Sequence, residues 1–469
     1  MPQVQIRLAE IIEALSKALD MTEGQPEGHC IRCCYIGTSI GREIGLSEPE
    51  LRDLYYTLLL KDLGCSSNAS RICELYLADD ISFKNDFKLL DGSLGQVLKF
   101  VISHTGTKAG LAERFRSLLN ILKNGGEIST ALMQTRCQRG AEIARQMRFS
   151  EKVAEGIIGL DEHWSGRGKP SGFAGKEIPL FSRIALLAQV IDVFQASGGS
   201  QAALEEISKR KGDWFDPALV DVFERIASRR EFWRELTSPD LERIVLASEP
   251  GQHGVLADDD YLDDIAAGFA KVIDAKSPYT SGHSERVALY TDLIAEEMQI
   301  DFETRRVLKR AALLHDIGKL GVSNSVLDKA GKLDDEEWRQ MKRHSEFSEQ
   351  ILSAIGAFAN AALIGGAHHE RLDGKGYPRG LSADQIPMEV RIVSTADVFD
   401  ALTADRPYRQ AMSLQEAFSI LWDGAGLSHD PICISALERA VARTPLSVCV
   451  GMSASRESLS SSDKAEEAA

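Results

Sequence analysis

The feature that most constrains this chain is an order of short motifs that runs through it twice. Gly28, His29 and Arg32 return as Gly282, His283 and Arg286, and LLLKDLGC (58–65) returns at the same offset as ALLHDIGK (312–319), so residues 28–65 align without a gap. Further on, CQRGAEI (137–143) falls on HSEFSEQ (344–350), GRGKPSGFAGKEIP (166–179) on GKGYPRGLSADQIP (374–387), Arg183 on Arg391, and Asp216-Pro217 on Asp430-Pro431. Matches in one conserved order mean two copies of one fold in tandem. At 469 residues the chain is also longer than single cores usually grow. Lys61 and Cys137 are 76 residues apart where His315 and His344 are 29 apart, so the first copy carries an insertion that includes NDFKLLDGSLGQVLKF (85–100).

Apolar residues recur at helical spacing, as in YLDDIAAGFAKVI and ERVALYTDLIAEEM, with few alternating runs, which predicts an all-α protein. The expected divisions are a first domain over 1–228, a connecting helix and linker over 229–260, a second domain over 261–445, and a Ser-rich, then charged tail over 446–469 that predicts disorder. A net charge of −16 argues against a protein that binds nucleic-acid polymers. No stretch reads as the roughly 20 apolar residues of a membrane span, and the amphipathic N-terminus is not signal-like, so the expectation is a cytoplasmic protein. Six of the eight cysteines lie in the first copy, and in a reducing compartment they read as free thiols.

The second copy holds the chemistry. His283, His315-Asp316, His344, His368-His369 and Asp397 are imidazoles and carboxylates, the donors that bind divalent zinc, iron or manganese, and a carboxylate has two oxygens with which to bridge two ions. They are too far apart in sequence for a local metal finger, so folding must gather them. The loop DGKGYP (373–378) follows His368-His369-Glu370, and RIVSTADVFDALTADRPYR carries Asp397, Asp400, Arg406 and Arg409.

Taken in this order, HDIGK, HHE, DGKGYP and ADVFDALTADRPYR resemble the HD-GYP family of metal-dependent phosphohydrolases over about residues 261–445. The resemblance implies tandem helical HD-type bundles, the first degenerate and the second HD-GYP. It implies iron or manganese held by His283, His315, Asp316, His344, His368, His369 and Asp397, and hydrolysis of cyclic di-GMP to pGpG or GMP by a hydroxide at a binuclear metal pair. Two six-coordinate ions offer about twelve positions, enough for these ligands with Asp316 bridging and for substrate oxygens. Some members bind a third metal through a glutamate four residues before the first ligand histidine; here Tyr279 stands there, which favours two metals. By the same resemblance Lys319 contacts substrate, one helical turn after His315, and Arg406, Arg409, Tyr377 and Asp400 are further substrate-side candidates. Loop packing for Tyr377, and capping or orienting roles for Asp373 and Asp400, remain open alternatives.

The first copy puts His29, Lys61, Asp62, Cys137, Leu160, Asp161 and Gln189 at the seven ligand positions and Cys65 at that of Lys319. A lysine cation where an imidazole should bind, and two lost donors, exclude a binuclear site. The expectation is structural use of these groups, with Lys61 paired to Asp62 in place of a metal; a single ion at His29, Asp62, Cys137 and Asp161 is the alternative. Rival functions for the whole chain are a cyclic-dinucleotide receptor with little turnover, and a hydrolase of another cyclic dinucleotide or nucleotide. A homodimer, and a signalling partner bound through the first copy or the GYP loop, are open.

Overall fold

The computed structural model describes residues 6–90, 94–107, 110–251, 255–405 and 409–444. Within them the chain is almost wholly helical, with one two-stranded antiparallel ladder in which β1 (Ile6–Arg7) pairs with β2 (Leu256–Ala257). It divides into two compact units: residues 1–278 with 319–329 and 354–357, and residues 279–318, 330–353 and 358–469.

The first unit contains α1 (Leu8–Thr22), α2 (His29–Glu43), α3 (Glu48–Leu60), α4 (Ala69–Tyr76), α5 (Asp80–Phe87), α6 (Leu94–His104), α7 (Leu111–Gln146), α8 (Glu151–Ile158), α9 (Leu180–Arg210), α10 (Pro217–Ala227), α11 (Arg230–Leu236), α12 (Leu241–Ala247) and α13 (Asp259–Asp274). The second contains α14 (His283–Glu297) and α15 (Phe302–Leu314), then α17 (Asp335–Ser353), α18 (Ala359–Ala367), α19 (Met388–Thr403), α20 (Leu414–Asp423) and α21 (Pro431–Arg443); the short α16 (Asn324–Leu327) belongs to the first unit. The repeat is visible in the packing. α2 packs on α3, α9 and α10, and α7 on α8, just as α14 packs on α15, α19 and α21, and α17 on α18.

Local chemistry sets the ends of these helices. Asp216 and Asp430 cap α10 and α21 through Ala218 N and Ile432 N at 2.9 and 2.8 Å, each followed by a proline whose missing N–H costs nothing at the first helical position. Arg183 and Arg391 each reach back to the capping aspartate, at 2.6 and 2.8 Å. Gly64 and Gly318 occupy the tightest crossings: an ideal Cβ would lie 1.8 Å from the Arg136 carbonyl oxygen in one copy and 2.0 Å from that of His344 in the other, so no side chain fits.

The α11 and α12 helices and β2 precede α13, which packs on α7, and the first unit runs to Pro278 before the chain enters the second. Among the described residues one helix, α9, is long and apolar enough to cross a membrane by length and composition, although 67% of its most apolar window is buried within the protein. Among the described residues seven cysteines are free thiols. The tail from residue 445 lies outside the described residues.

Candidate metal centre

The ligand candidates arrive on five separate helices or helix ends. His283 is the first residue of α14, His315 caps the C-terminus of α15, His344 lies within α17, and His368-His369 end α18, while Asp397 is carried by α19. The α15 helix stops at Leu314 and gives way to a 3-10 turn over Ile317–Gly321, because Gly318 must pass against the α17 backbone. This corrects the α-helical spacing expected between His315 and Lys319: Lys319 is half-buried in that turn.

The side chains converge on Asp316. Its Oδ2 lies 3.4 Å from His283 Nε2 and 3.3 Å from His315 Nε2, and its Oδ1 lies 3.6 and 3.7 Å from the Nε2 atoms of His344 and His368. Asp397 Oδ1 completes the first side, 3.4 Å from His283 Nε2 and 3.9 Å from His315 Nε2. His369 joins His344 and His368 on the other, the ligand atoms of those three lying within 4.8 Å of one another. One carboxylate therefore faces two donor groups, one with each oxygen.

Four rings are aimed by what their other nitrogen holds. His283 Nδ1 pairs with Asp400 Oδ2 at 2.7 Å, and the Nδ1 atoms of His315, His344 and His368 donate to the carbonyls of Ala312, Met341 and Gly365 at 2.7, 2.6 and 2.9 Å. Such partners fix the tautomer and turn Nε2 inward. His283 and His315 are at most 1% exposed, and their Nε2 atoms make no hydrogen bond among the described residues. Burial would lower the His283 pKa, but Asp316, Asp400 and Asp397 together raise it to about 9; burial and the neighbouring His315 push His368 down to about 3. Buried carboxylates that draw positive charge to this degree, beside a neutral imidazole, suit a divalent cation on each side of Asp316.

The substrate-side candidates fare differently. Asp400 is 1% exposed and spends its carboxylate on His283 and on Arg286, whose Nε is 2.5 Å from Oδ1, so it orients a ligand candidate. Arg409 donates to the carbonyls of Ala401, Leu402 and Gln410 at 2.6, 2.9 and 3.0 Å, satisfying the C-terminal carbonyls of α19 that helix geometry leaves open. Tyr377 lays its ring on His369, 4.7 Å between centroids, with the Lys342 ammonium 5.6 Å from its own. Loop packing is thus what the structure gives this tyrosine. Asp373 binds Arg371 and Lys375 N and closes its loop. Arg406 lies outside the described residues.

Sequence reasoning missed Glu370, 4% exposed, which accepts Arg379 N and Leu381 N at 2.7 and 2.8 Å and ties down the GYP loop. It also missed Arg286. Both could have been found from the repeat, since Glu162 and Arg32 occupy the matching positions. Glu162 accepts Ser171 N and Gly172 N, and Arg32 Nε meets Asp192 Oδ1 at 2.6 Å, while His29 Nδ1 meets Asp192 Oδ2 at 2.6 Å.

The first copy has kept this outer scaffold and filled its centre with its own cations. Lys61 Nζ, fully buried, lies 3.0 Å from His29 Nε2 and bonds Asp62 Oδ2. The ammonium can only donate, so His29 Nε2 accepts and its Nδ1–H serves Asp192. Burial and the Lys61 charge keep His29 neutral, with its pKa lowered to about 4, and Lys61 outweighs burial to hold Asp62 at about 2. Arg136 pairs with Asp161 at the place equivalent to His369. The four residues considered for a single ion are not brought together among the described residues. His29 groups with Cys33 and Asp192, Asp62 with Glu23 and Cys65, and Cys137 sits 3.7 Å from Asp161.

The HD domain family model matches residues 107–219 and again 269–432, together more than half of the chain. The chain belongs to the HD domain family. Its second copy is of the HD-GYP type and its first is degenerate. A 3'3'-cGAMP-specific phosphodiesterase 3 of Vibrio cholerae serotype O1 is 53% identical over 438 residues, 93% of this chain and 95% of that protein. A cyclic di-GMP phosphodiesterase response regulator of Xanthomonas campestris is 42% identical over 176 residues, 37% of this chain and 47% of its own length. A crystal structure of a cyclic GMP-AMP specific phosphodiesterase from V. cholerae superposes with a TM-score of 0.65 at 48% identity, covering 94% of this chain and 99% of that one.

Proposed function

We propose that this chain is a metal-dependent phosphodiesterase that linearises a 3'3'-cyclic dinucleotide, and that its substrate is 3'3'-cGAMP. The observation that carries the reaction class is Asp316, one buried carboxylate with an imidazole pair at each oxygen. The substrate assignment rests on the relative matched along nearly its whole length, which bears the name of a 3'3'-cGAMP enzyme, whereas the cyclic di-GMP relative matches over 37% of this chain. Cyclic di-GMP, implied by the motifs alone, becomes the competing substrate.

When bound, a pair of divalent cations, with iron and manganese the first choices, supplies Lewis-acid stabilisation of charge at phosphorus and brings the pKa of water into the working range. The protein's own residues do the positioning. His283, His315, Asp316 and Asp397 would hold one ion and Asp316, His344, His368 and His369 the other. Asp400 and the Ala312, Met341 and Gly365 carbonyls keep four of those rings aimed. Glu370 and Tyr377 brace the loop beside His369. Lys319 supplies the ammonium that meets the scissile phosphate. A cytoplasmic site of action belongs to the same reading, because its substrate is an intracellular messenger.

The test is turnover of 3'3'-cGAMP, cyclic di-GMP and cyclic di-AMP by purified protein loaded with Mn(II) or Fe(II). The expected result is linear product from 3'3'-cGAMP with a kcat/KM about tenfold or more above the others, a difference of about 1.4 kcal/mol at the transition state, and none from Asp316→Ala. Equal or faster cleavage of cyclic di-GMP would retire the substrate assignment. Tight binding with no product from any of them would make the protein a receptor.

A further inference from the structure

Beside the metal centre, within the second unit, α17 carries a tryptophan whose ring the fold uses only in part. Trp338 stands six residues before His344, which the helical rise turns into about 9 Å along the axis. Its neighbour in the GYP loop is Tyr377, set edge-on at 74° with 5.9 Å between centroids, and Tyr377 lies 4.7 Å from the His369 ring. Two ring steps thus lead from a ligand candidate to Trp338, a reach comparable to that from the phosphate of a nucleotide to its base. The first turn of α17 is fastened before anything binds. Asp334 Oδ1 accepts Glu336 N and Glu337 N, both at 2.9 Å, Asp334 N donates to Glu337 Oε2 at 2.7 Å, and Trp338 N closes on the Asp334 carbonyl at 2.8 Å.

Despite that fastening, Trp338 is 43% exposed. Lys342, one helical turn further on, sets its ammonium 5.4 Å from the Trp338 centroid and 5.6 Å from that of Tyr377. Among the described residues this ammonium makes no hydrogen bond and no ion pair, so its N–H donors are unspent. An indole left so open gains little stability where it stands, because the hydrophobic term follows the area removed from water. The degenerate copy supplies the contrast: Ala131, Thr135 and Lys169 occupy the positions of Trp338, Lys342 and Tyr377, so the group is absent where the metal set is absent. Residues that only brace the fold are kept in both copies, as Gly64 with Gly318 and Glu162 with Glu370 are. A flat π face with a cation at its side matches a purine, whose ring stacks on aromatic side chains and whose N7 accepts a hydrogen bond. We propose that Trp338 is the platform on which one purine of the cyclic dinucleotide stacks, with Tyr377 behind it and the Lys342 ammonium at the edge of that base. This rests on the phosphodiesterase reading and names the base subsite of that same centre.

The experiment titrates a hydrolysis-resistant phosphorothioate analogue of 3'3'-cGAMP into Mn(II)-loaded wild-type, Trp338→Phe and Trp338→Ala proteins while tryptophan fluorescence is read. KM, kcat, bound metal and melting temperature are measured for each. The expected result is quenching in the wild type that both variants lose, with Kd and KM raised about 5- to 150-fold in Trp338→Ala and only a few-fold in Trp338→Phe, and kcat altered by less than about threefold. Bound metal should stay constant and the melting temperature should move by less than about 2 °C, as for a surface substitution. Quenching that survives in Trp338→Phe, a KM for Trp338→Ala within about twofold of the wild type, or a raised KM accompanied by lost metal or a lower melting temperature would overturn the platform. If the wild-type protein cleaves no cyclic dinucleotide while the analogue still quenches Trp338, the phosphodiesterase reading fails and the base subsite stands.

Discussion

Lys61→Met removes one positive charge from the centre of the degenerate copy while keeping most of the side-chain volume, and it isolates what that charge does. In the wild-type protein Lys61 Nζ joins Asp62 Oδ2 and His29 Nε2, with side chains at most 1% exposed. Deleting one partner of a buried ion pair leaves the other desolvated and costs about 3–5 kcal/mol. For a unit of this size, at about 2 °C per kcal/mol, the melting temperature should fall by about 6–10 °C. The pH dependence has a definite sign. Asp62, held at about 2, lies below its unfolded value, so its contribution is complete above about pH 4 and disappears only as pH falls toward 2. In the variant, burial acts without Lys61 and raises the Asp62 carboxyl, although the Lys88 charge that also faces it opposes the rise and Glu23 assists it. A folded-state pKa above the unfolded one destabilises at high pH and is relieved as pH falls, so the deficit should be full at pH 7.5 and smaller at pH 5.5. Calorimetry of the full chain at both pH values measures it, and Asp62→Leu/Lys61→Met should recover most of the loss. A fall under about 2 °C at pH 7.5, or a deficit that does not shrink on acidification, would refute the claim that the ammonium stands in for a metal.

Three further outcomes follow from the second copy. Asp400→Ala should weaken metal affinity by about 10–100-fold, because His283 loses the carboxylate that aims it, and leave KM for the loaded enzyme nearly unchanged; metal titration with turnover separates the two. Lys319→Ala should lower kcat about tenfold or more with bound metal nearly constant by elemental analysis, and loss of the ions would show that its role is structural. Arg409→Ala should cost on the order of 1–2 kcal/mol of stability through the Ala401 and Leu402 carbonyls it serves, with KM changed by less than about twofold.

By itself the sequence determined the helical class, the tandem order, and which copy has the donors, because ligand chemistry depends on residue type and the repeat shows where type has changed: His315 against Lys61, His368 against Leu160, Asp397 against Gln189. Tertiary structure decided the rest, since the task of a side chain is set by what folding places beside it. Only the fold shows Asp316 turning one oxygen to each imidazole pair, and Arg409 and Asp400 spent on a helix end and a histidine ring. Only the fold breaks the helix after Leu314, where the α17 backbone leaves room for nothing larger than Gly318. That Asp80 meets Asn324 across 244 residues could not be read from either segment, because each is an ordinary polar turn until burial removes the water that would otherwise serve both.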